Sequence, residues 1–170
     1  GVQTCALPIS VYGDNEKDAN ALRSFSSGKL KVEKYGSVDL MPEVNTSRGK
    51  AFLAGDARAA ENPLLASIHT VWMREHNRLA DQFRAADSSL TDEQIYQKAR
   101  TTVMALIQNI TYNEFLPALL GDGQLKDYEG YYASPDAGIN TEFATAAFRI
   151  GHTMISDSMA RTDANGNSLG

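Results

Sequence analysis

Cysteine is nearly missing from this 170-residue sequence, which holds one, Cys5. A single thiol has no partner, so an internal disulfide is excluded. Long apolar runs are missing too. Apolar content is an ordinary 42%, yet no window approaches the roughly 18 consecutive apolar residues of a membrane-spanning helix. Positive charge is not in excess: the net charge is −5, with no basic patch and no interleaving of basic and aromatic residues. That balance argues against nucleic acid as a partner. No stretch has the charged, apolar and cleavable parts of an export leader, and there is neither an internal repeat nor a low-complexity tract. What remains is a chain long enough to bury one real core.

The longest amphipathic signal begins at Asn62-Pro63. Leu65, Ile68, Val71, Trp72, Leu79 and Phe83 recur at three- and four-residue spacing, the pattern of one buried stripe on a long helix. Pro63 suits the first turn, where its missing N–H costs nothing, and Asn62 is the expected cap. A turn at Ala54-Gly55-Asp56 leads into it. Earlier, Asp14 is expected to cap a short helix carrying Ala19, Leu22 and Phe25, closed by Ser26-Ser27-Gly28. Lys29 to Lys34 alternates charged and apolar residues and reads as a short strand or hairpin arm. Tyr35 to Lys50, rich in Gly, Ser, Asn and Pro, reads as loop.

Further on, Thr91 and Gln94 have the spacing of a capping box. It opens a helix whose apolar face is Ile95, Ala99, Val103, Leu106 and Ile110. Helix is expected to continue past Pro117, from Leu116 to Leu120, and to stop at Gly121. An irregular connection over 122–139 precedes a last helix. That helix is capped by Asn140 or Thr141 and runs from Glu142 to about Ile155. The expected fold class is mainly α: a helical domain with one short β-hairpin.

Three histidines are present. His69 and His76 lie seven apart on the long helix, which is not the three- or four-residue spacing of a helical metal pair. REHN also lacks the second histidine of a zinc-protease HExxH motif. Both histidines read as structural, bonded to backbone or carboxylates in the core. His152 follows Phe148-Arg149-Ile150-Gly151 on an apolar helix. It is either a satisfied core histidine or a group beside a flat ligand, because Gly151 removes the neighbouring side chain. Arg58 and Glu61 sit three apart just ahead of a helix N-terminus, where the dipole favours a carboxylate. They form either a local ion pair or a guanidinium and a carboxylate aimed at a ligand on the helix end. Asp56 reads as a turn or cap residue, and Arg149 as a snorkelling surface arginine or an anion partner.

GDARAAE (Gly55 to Glu61) followed by HTVWMREHNRLA (His69 to Ala80) resembles the animal-type haem peroxidase family. QNITYNEFLPALLG (Gln108 to Gly121) and AFRIGHTMI (Ala147 to Ile155) continue the likeness, and SVYG (Ser10 to Gly13) matches a segment that precedes a helix there. Blocks in family order over about a hundred residues are far more specific than a lone short motif. The resemblance implies a peroxide-reducing oxidoreductase that holds haem b. His152, the histidine of FRxGH, would be the proximal ligand to iron through a neutral imidazole. Its second nitrogen would be bonded by an asparagine beyond Gly170. Arg149 would pair with a haem propionate. Arg58 takes the place of the distal arginine, a permanent planar cation that stabilises charge on the departing peroxide oxygen. Glu61 matches the glutamate that forms an ester to a haem methyl in many relatives. Asn62 stands where myeloperoxidase has a methionine bonded to a haem vinyl, so that third link is not expected.

In the family the distal histidine, a second haem-linking aspartate and a calcium site lie upstream of SVYG. Calcium is therefore expected in an intact parent and not in this chain. A general base out of reach costs a factor of about 100 to 10,000, so this polypeptide alone is expected to be a poor peroxidase and a weak haem binder. GVQTCALPI (Gly1 to Ile9) resembles the translated tail of a sequencing-library adapter. Residues 10–170 are then the native part, a partial haem peroxidase catalytic domain from a bacterial or environmental source, and both ends read as truncations. The parent would use hydrogen peroxide to oxidise phenols, halides, thiocyanate or similar small donors. Family habit places it outside the cell or at the cell surface. Two other readings stay open. A fatty-acid oxygenase of the cyclooxygenase and α-dioxygenase branch shares WxREHNR and the haem, although GDxRxxE favours the peroxidase branch. A haem-free helical interaction module would leave Arg58, Glu61 and His152 merely structural.

Overall fold

A computed structural model describes residues 9–47, 49–134, 136 and 138–170 of the chain. All but the last residue of the adapter-like segment, Cys5 included, lies outside the described residues. The chain divides into two compact units, Gly1–Glu129 and Gly130–Gly170.

The first unit opens with two short helices, α1 (Ile9–Tyr12) and α2 (Glu16–Leu22). Asn15, not Asp14, caps α2: its backbone is extended and its side-chain oxygen accepts the Asp18 N–H at 2.9 Å. The helix ends at Leu22 rather than at Gly28, and Phe25 lies exposed beyond it. Two antiparallel hairpins follow where one was expected. β1 (Glu33–Tyr35) pairs with β2 (Val38–Leu40), and β3 (Glu43–Thr46) pairs with β4 (Gly49–Phe52). These occupy most of the stretch that reads as loop. The strands are three or four residues long and largely exposed. Backbone pairing across tight turns defines them, so they leave almost no alternating apolar signal.

A 3₁₀ turn, Ala57–Ala60, leads into α3 (Pro63–Ala86). Asn62 caps α3 as expected, accepting the Leu65 N–H at 2.9 Å. The buried stripe differs from the expected one. Met73, His76, Leu79 and Ala80 are buried, whereas Ile68 and Val71 are 53% and 57% exposed. Apolar residues mark two sides of this helix, and spacing alone does not choose between them. α4 (Asp92–Ile110) carries the whole capping box: Thr91 Oγ1 accepts the Gln94 N–H at 3.3 Å, and Gln94 Oε1 accepts the Thr91 N–H at 2.9 Å. Ile95, Ala99 and Val103 are fully buried, and α4 packs on α3. Each Ile or Val buried in this way stabilises the fold by about 1.5–3 kcal/mol. α4 runs through a π turn, Thr111–Phe115, into α5 (Leu116–Leu120), which stops at Gly121. The wider turn directly precedes Pro117, whose missing N–H removes a rung from the ordinary α ladder.

The second unit holds α6 (Thr141–Thr145) and a 3₁₀ stretch, Ala147–Met154. Asn140 caps α6 by accepting the Phe143 N–H at 2.8 Å. The single helix expected to reach Ile155 is instead broken at Ala146 (φ −122°, ψ −69°). Phe143, Phe148, Ile150 and Met154 are all exposed. A helix draws most of its stability from packing an apolar face, and these residues pack little. The architecture is mainly helical with small antiparallel hairpins.

Candidate functional site

The REHNR stretch of α3 is spent on structure. Arg74 Nε donates to the Asp39 carbonyl on β2 at 2.6 Å, and Glu75 pairs with Arg78 through two hydrogen bonds of 2.7 and 2.8 Å. Asn77 clips the Leu30 backbone from both sides, accepting its N–H at 2.8 Å and donating to its carbonyl at 3.1 Å. His76 is fully buried. Its Nε2–H donates to the Gly28 carbonyl at 2.8 Å, which leaves Nδ1 to accept the Tyr12 hydroxyl, also at 2.8 Å. Burial pushes its pKa down to about 4, so the ring is neutral at pH 7. His69, half-buried, donates from Nδ1 to the Leu65 carbonyl at 2.6 Å. Both histidines are therefore bonded to backbone, as expected of structural residues.

Gly28 is the hinge of this node. Its N–H donates to Asp92 at 2.6 Å while its carbonyl meets His76. At φ +67°, an added Cβ would lie 2.5 Å from the Ile95 side chain and 2.6 Å from the Tyr96 nitrogen. Only glycine fits. Beside it the buried Arg23 donates to Asp92 at 2.9 Å and to Glu93, and its guanidinium lies 3.9 Å over the Tyr96 ring.

Arg58 sits on the 3₁₀ turn ahead of α3, and Glu61 caps its C-terminal end. Residues three apart eclipse on a 3₁₀ helix, so both side chains leave from one edge. The local ion pair is not the expected one, because Arg58 pairs with Asp56 rather than Glu61. Asp56 caps the turn, accepting the Arg58 N–H at 2.8 Å and the Arg58 Nε–H at 2.9 Å, and it also pairs with one terminal guanidinium nitrogen. These hydrogen bonds hold the Asp56 pKa down at about 2. Extended backbone at Asp56 lets one carboxylate reach both the amide and the side chain two residues on. Glu61 is exposed and forms no hydrogen bond through its carboxylate among the described residues.

Arg149 and His152 lie in the second unit, three apart on the 3₁₀ stretch, so they too share an edge. Both are exposed, and the His152 imidazole makes no hydrogen bond among the described residues. A Cβ added at Gly151 would meet nothing within 4 Å outside its chain neighbours, so the space at Gly151 is open. Each 3₁₀ segment thus brings together one pair of the expected site residues, and the two pairs belong to different units. Among the described residues no three His, Cys, Asp or Glu side chains come together to hold a metal ion.

The sequence profile of the family described as Animal haem peroxidase matches residues 9–169. The chain belongs to the animal haem peroxidase family. Probable oxidoreductase PXDNL of Homo sapiens is 40% identical over 172 residues, covering 91% of this chain and 12% of that protein. Peroxidase A from Dictyostelium discoideum is similar in structure, with a TM-score of 0.89 and 34% identity over 97% of this chain and 34% of that one. A fatty acid alpha-dioxygenase from Arabidopsis thaliana is less similar, with a TM-score of 0.57 and 25% identity over 66% of this chain and 17% of that one. The chain therefore spans well under half the length of the animal haem peroxidase relatives it matches.

Sequence reasoning missed the Asp56–Arg58 pair, the Arg23 cluster and the Asn77 clip. A signal for the first was available, since Asp before a turn commonly accepts the amide two residues on. The other two join residues far apart in the chain and left no local trace.

Proposed function

We propose that residues 10–170 are part of the catalytic domain of a haem peroxidase that reduces hydrogen peroxide and oxidises phenols, halides or similar small donors. The observation that supports this best is the family match over residues 9–169, which takes in GDARAAE and FRIGH together. The residues present suit haem. His152 offers an exposed imidazole beside the open space at Gly151, and Arg149 offers a cation on the same edge. His152 would ligate iron and Arg149 would pair with a propionate. Glu61, exposed and unbonded through its carboxylate, is the residue proposed to form an ester to a haem methyl. Bound haem supplies the iron at which peroxide is reduced and donors are oxidised.

Arg58 is the proposed catalytic residue of this chain. A guanidinium stays charged at any working pH and presents a planar fork of donors. Fixed near the peroxide, it stabilises the negative charge that builds on the departing oxygen. Removing one such donor commonly slows a reaction by about 100- to 1000-fold. Calcium, the distal histidine and the second ester-forming carboxylate belong in this reading to the rest of the parent, and residues 1–9 to a non-native segment. An extracellular or cell-surface location goes with the family resemblance. Among the described residues no helix is long and apolar enough to cross a membrane.

The test is haem reconstitution of the full-length parent. A Soret band is expected, with guaiacol oxidation dependent on peroxide, and His152→Ala should shift or abolish the band. A parent that yields no Soret band refutes the reading in favour of a haem-free helical module, and a band left unaltered by His152→Ala refutes His152 as the iron ligand. The α-dioxygenase likeness supports a second reading, a fatty-acid oxygenase. Oxygen uptake with linoleate, in place of guaiacol oxidation, would establish it.

A further inference from the structure

We propose that Asp56 is a positioning residue that aims the Arg58 guanidinium; this rests on the reading of Arg58 as the cation that faces peroxide. Arginine has a long stem with much rotamer freedom, and the Arg58 side chain is 76% exposed. An arginine left in solvent would spread over many directions. Asp56 removes that freedom. Its own side chain is only 18% exposed, and it takes three N–H groups of one residue: the backbone amide, Nε and one terminal nitrogen. Pairing through Nε and a terminal nitrogen occupies one side of the guanidinium fork. The second terminal nitrogen makes no hydrogen bond among the described residues and is left to meet a ligand.

The anchor is itself fixed by the chain before it. Gly55 N–H donates to the Ser10 carbonyl at 2.9 Å. An added Cβ at Gly55 would lie 2.0 Å from the Ile9 carbonyl oxygen and 2.2 Å from the Gly13 nitrogen. The SVYG segment and the GD pair are thus packed backbone to backbone. From there a single extended residue carries the carboxylate to the turn. An exposed ion pair adds little to stability. The consequence expected of Asp56 is therefore orientation of Arg58, not a higher melting point.

Asp56→Asn separates the two roles. An amide oxygen still caps the turn nearly as well, but the charge is lost and the NH₂ end cannot accept from the guanidinium. In the haem-loaded full-length parent, Asp56→Asn should melt within about 2 °C of wild type. Its fluoride dissociation constant in the ferric state, followed by absorbance, should rise roughly five- to tenfold, since a donor held in place strengthens anion binding. Its bimolecular rate with peroxide should fall roughly tenfold while the KM for guaiacol stays unchanged. Arg58→Ala should slow the peroxide step by about 100-fold or more. If Arg58→Ala is slow but Asp56→Asn stays within twofold in fluoride affinity and peroxide rate, the proposal fails alone. Loss of rate only in proportion to lost folded protein overturns it as well. If Arg58→Ala has no effect either, the reading of Arg58 fails and carries this inference with it.

Discussion

Lowering the pH from 7.5 to 4 should weaken the first unit through one side chain, His76. The imidazole is fully buried, with both nitrogens satisfied by the Gly28 carbonyl and the Tyr12 hydroxyl at 2.8 Å each. A second proton on the ring would face the Tyr12 oxygen, with no carboxylate bonded to the ring among the described residues. Burial is the main cause of a pKa lowered from 6.5 to about 4; the Gly28 carbonyl works against it, and the nearby Arg23 adds to it. Because the folded value is the lower one, the unfolded chain takes up the proton first as pH falls. His76 thus stabilises the fold fully above pH 6.5, and that contribution is lost progressively down to about pH 4. The gap between those two values, at about 1.36 kcal/mol per pH unit, comes to about 3 kcal/mol. That is a large share of the roughly 5–15 kcal/mol that holds a typical domain.

The carboxylates act in a lower window. Asp56, held at about 2 by the hydrogen bonds from Arg58, loses its contribution only as pH drops below its ordinary 3.8. Urea unfolding at fixed pH between 4 and 8, on wild type and His76→Gln, isolates the histidine. Wild type should lose up to about 1.36 kcal/mol per pH unit across the window. The variant should begin less stable at pH 7.5 and stay nearly flat until the carboxylates titrate. A variant that loses stability between pH 6.5 and 4.5 as steeply as wild type would refute the assignment.

Three further outcomes are expected. Gly28→Ala should destabilise the first unit by about 2–5 kcal/mol, because it adds left-handed strain to an overlap with Ile95 and Tyr96; urea midpoints measure this, and a cost under about 1 kcal/mol would contradict it. Thr91→Ala should cost about 1 kcal/mol by removing half of the capping box, read in the same way. Asn77→Ala should cost about 1–3 kcal/mol and speed hydrogen exchange at the Leu30 amide, which loses its acceptor. Unchanged protection at Leu30 would show that the clip does not hold that backbone.

Local chemistry is what a sequence displays most openly. Asn62, Asn140 and the Thr91/Gln94 box act within three residues of themselves, and all are found as caps. The stop at Gly121 after a proline-bearing turn is local in the same sense. Asn15 displaced Asp14 as a cap by one position, because both residue types suit the role and only the backbone path chooses. One hairpin was expected, and the second went unseen because these strands are short and mostly exposed. The last helix is shorter than its periodicity implies, because periodicity shows where an apolar face would lie, not whether anything packs on it.

Most of the helix caps, the two long helices and the ordered blocks that mark the family are legible in the residues alone, because each is written in residues close together along the chain. Which side of α3 is buried was settled by packing, as was the pairing of Arg23 with Asp92 and Glu93. The tertiary structure also decided that His76 is bonded to residues 48 and 64 positions away. Such choices depend on which distant surfaces exclude water together, and one-dimensional spacing carries no record of them.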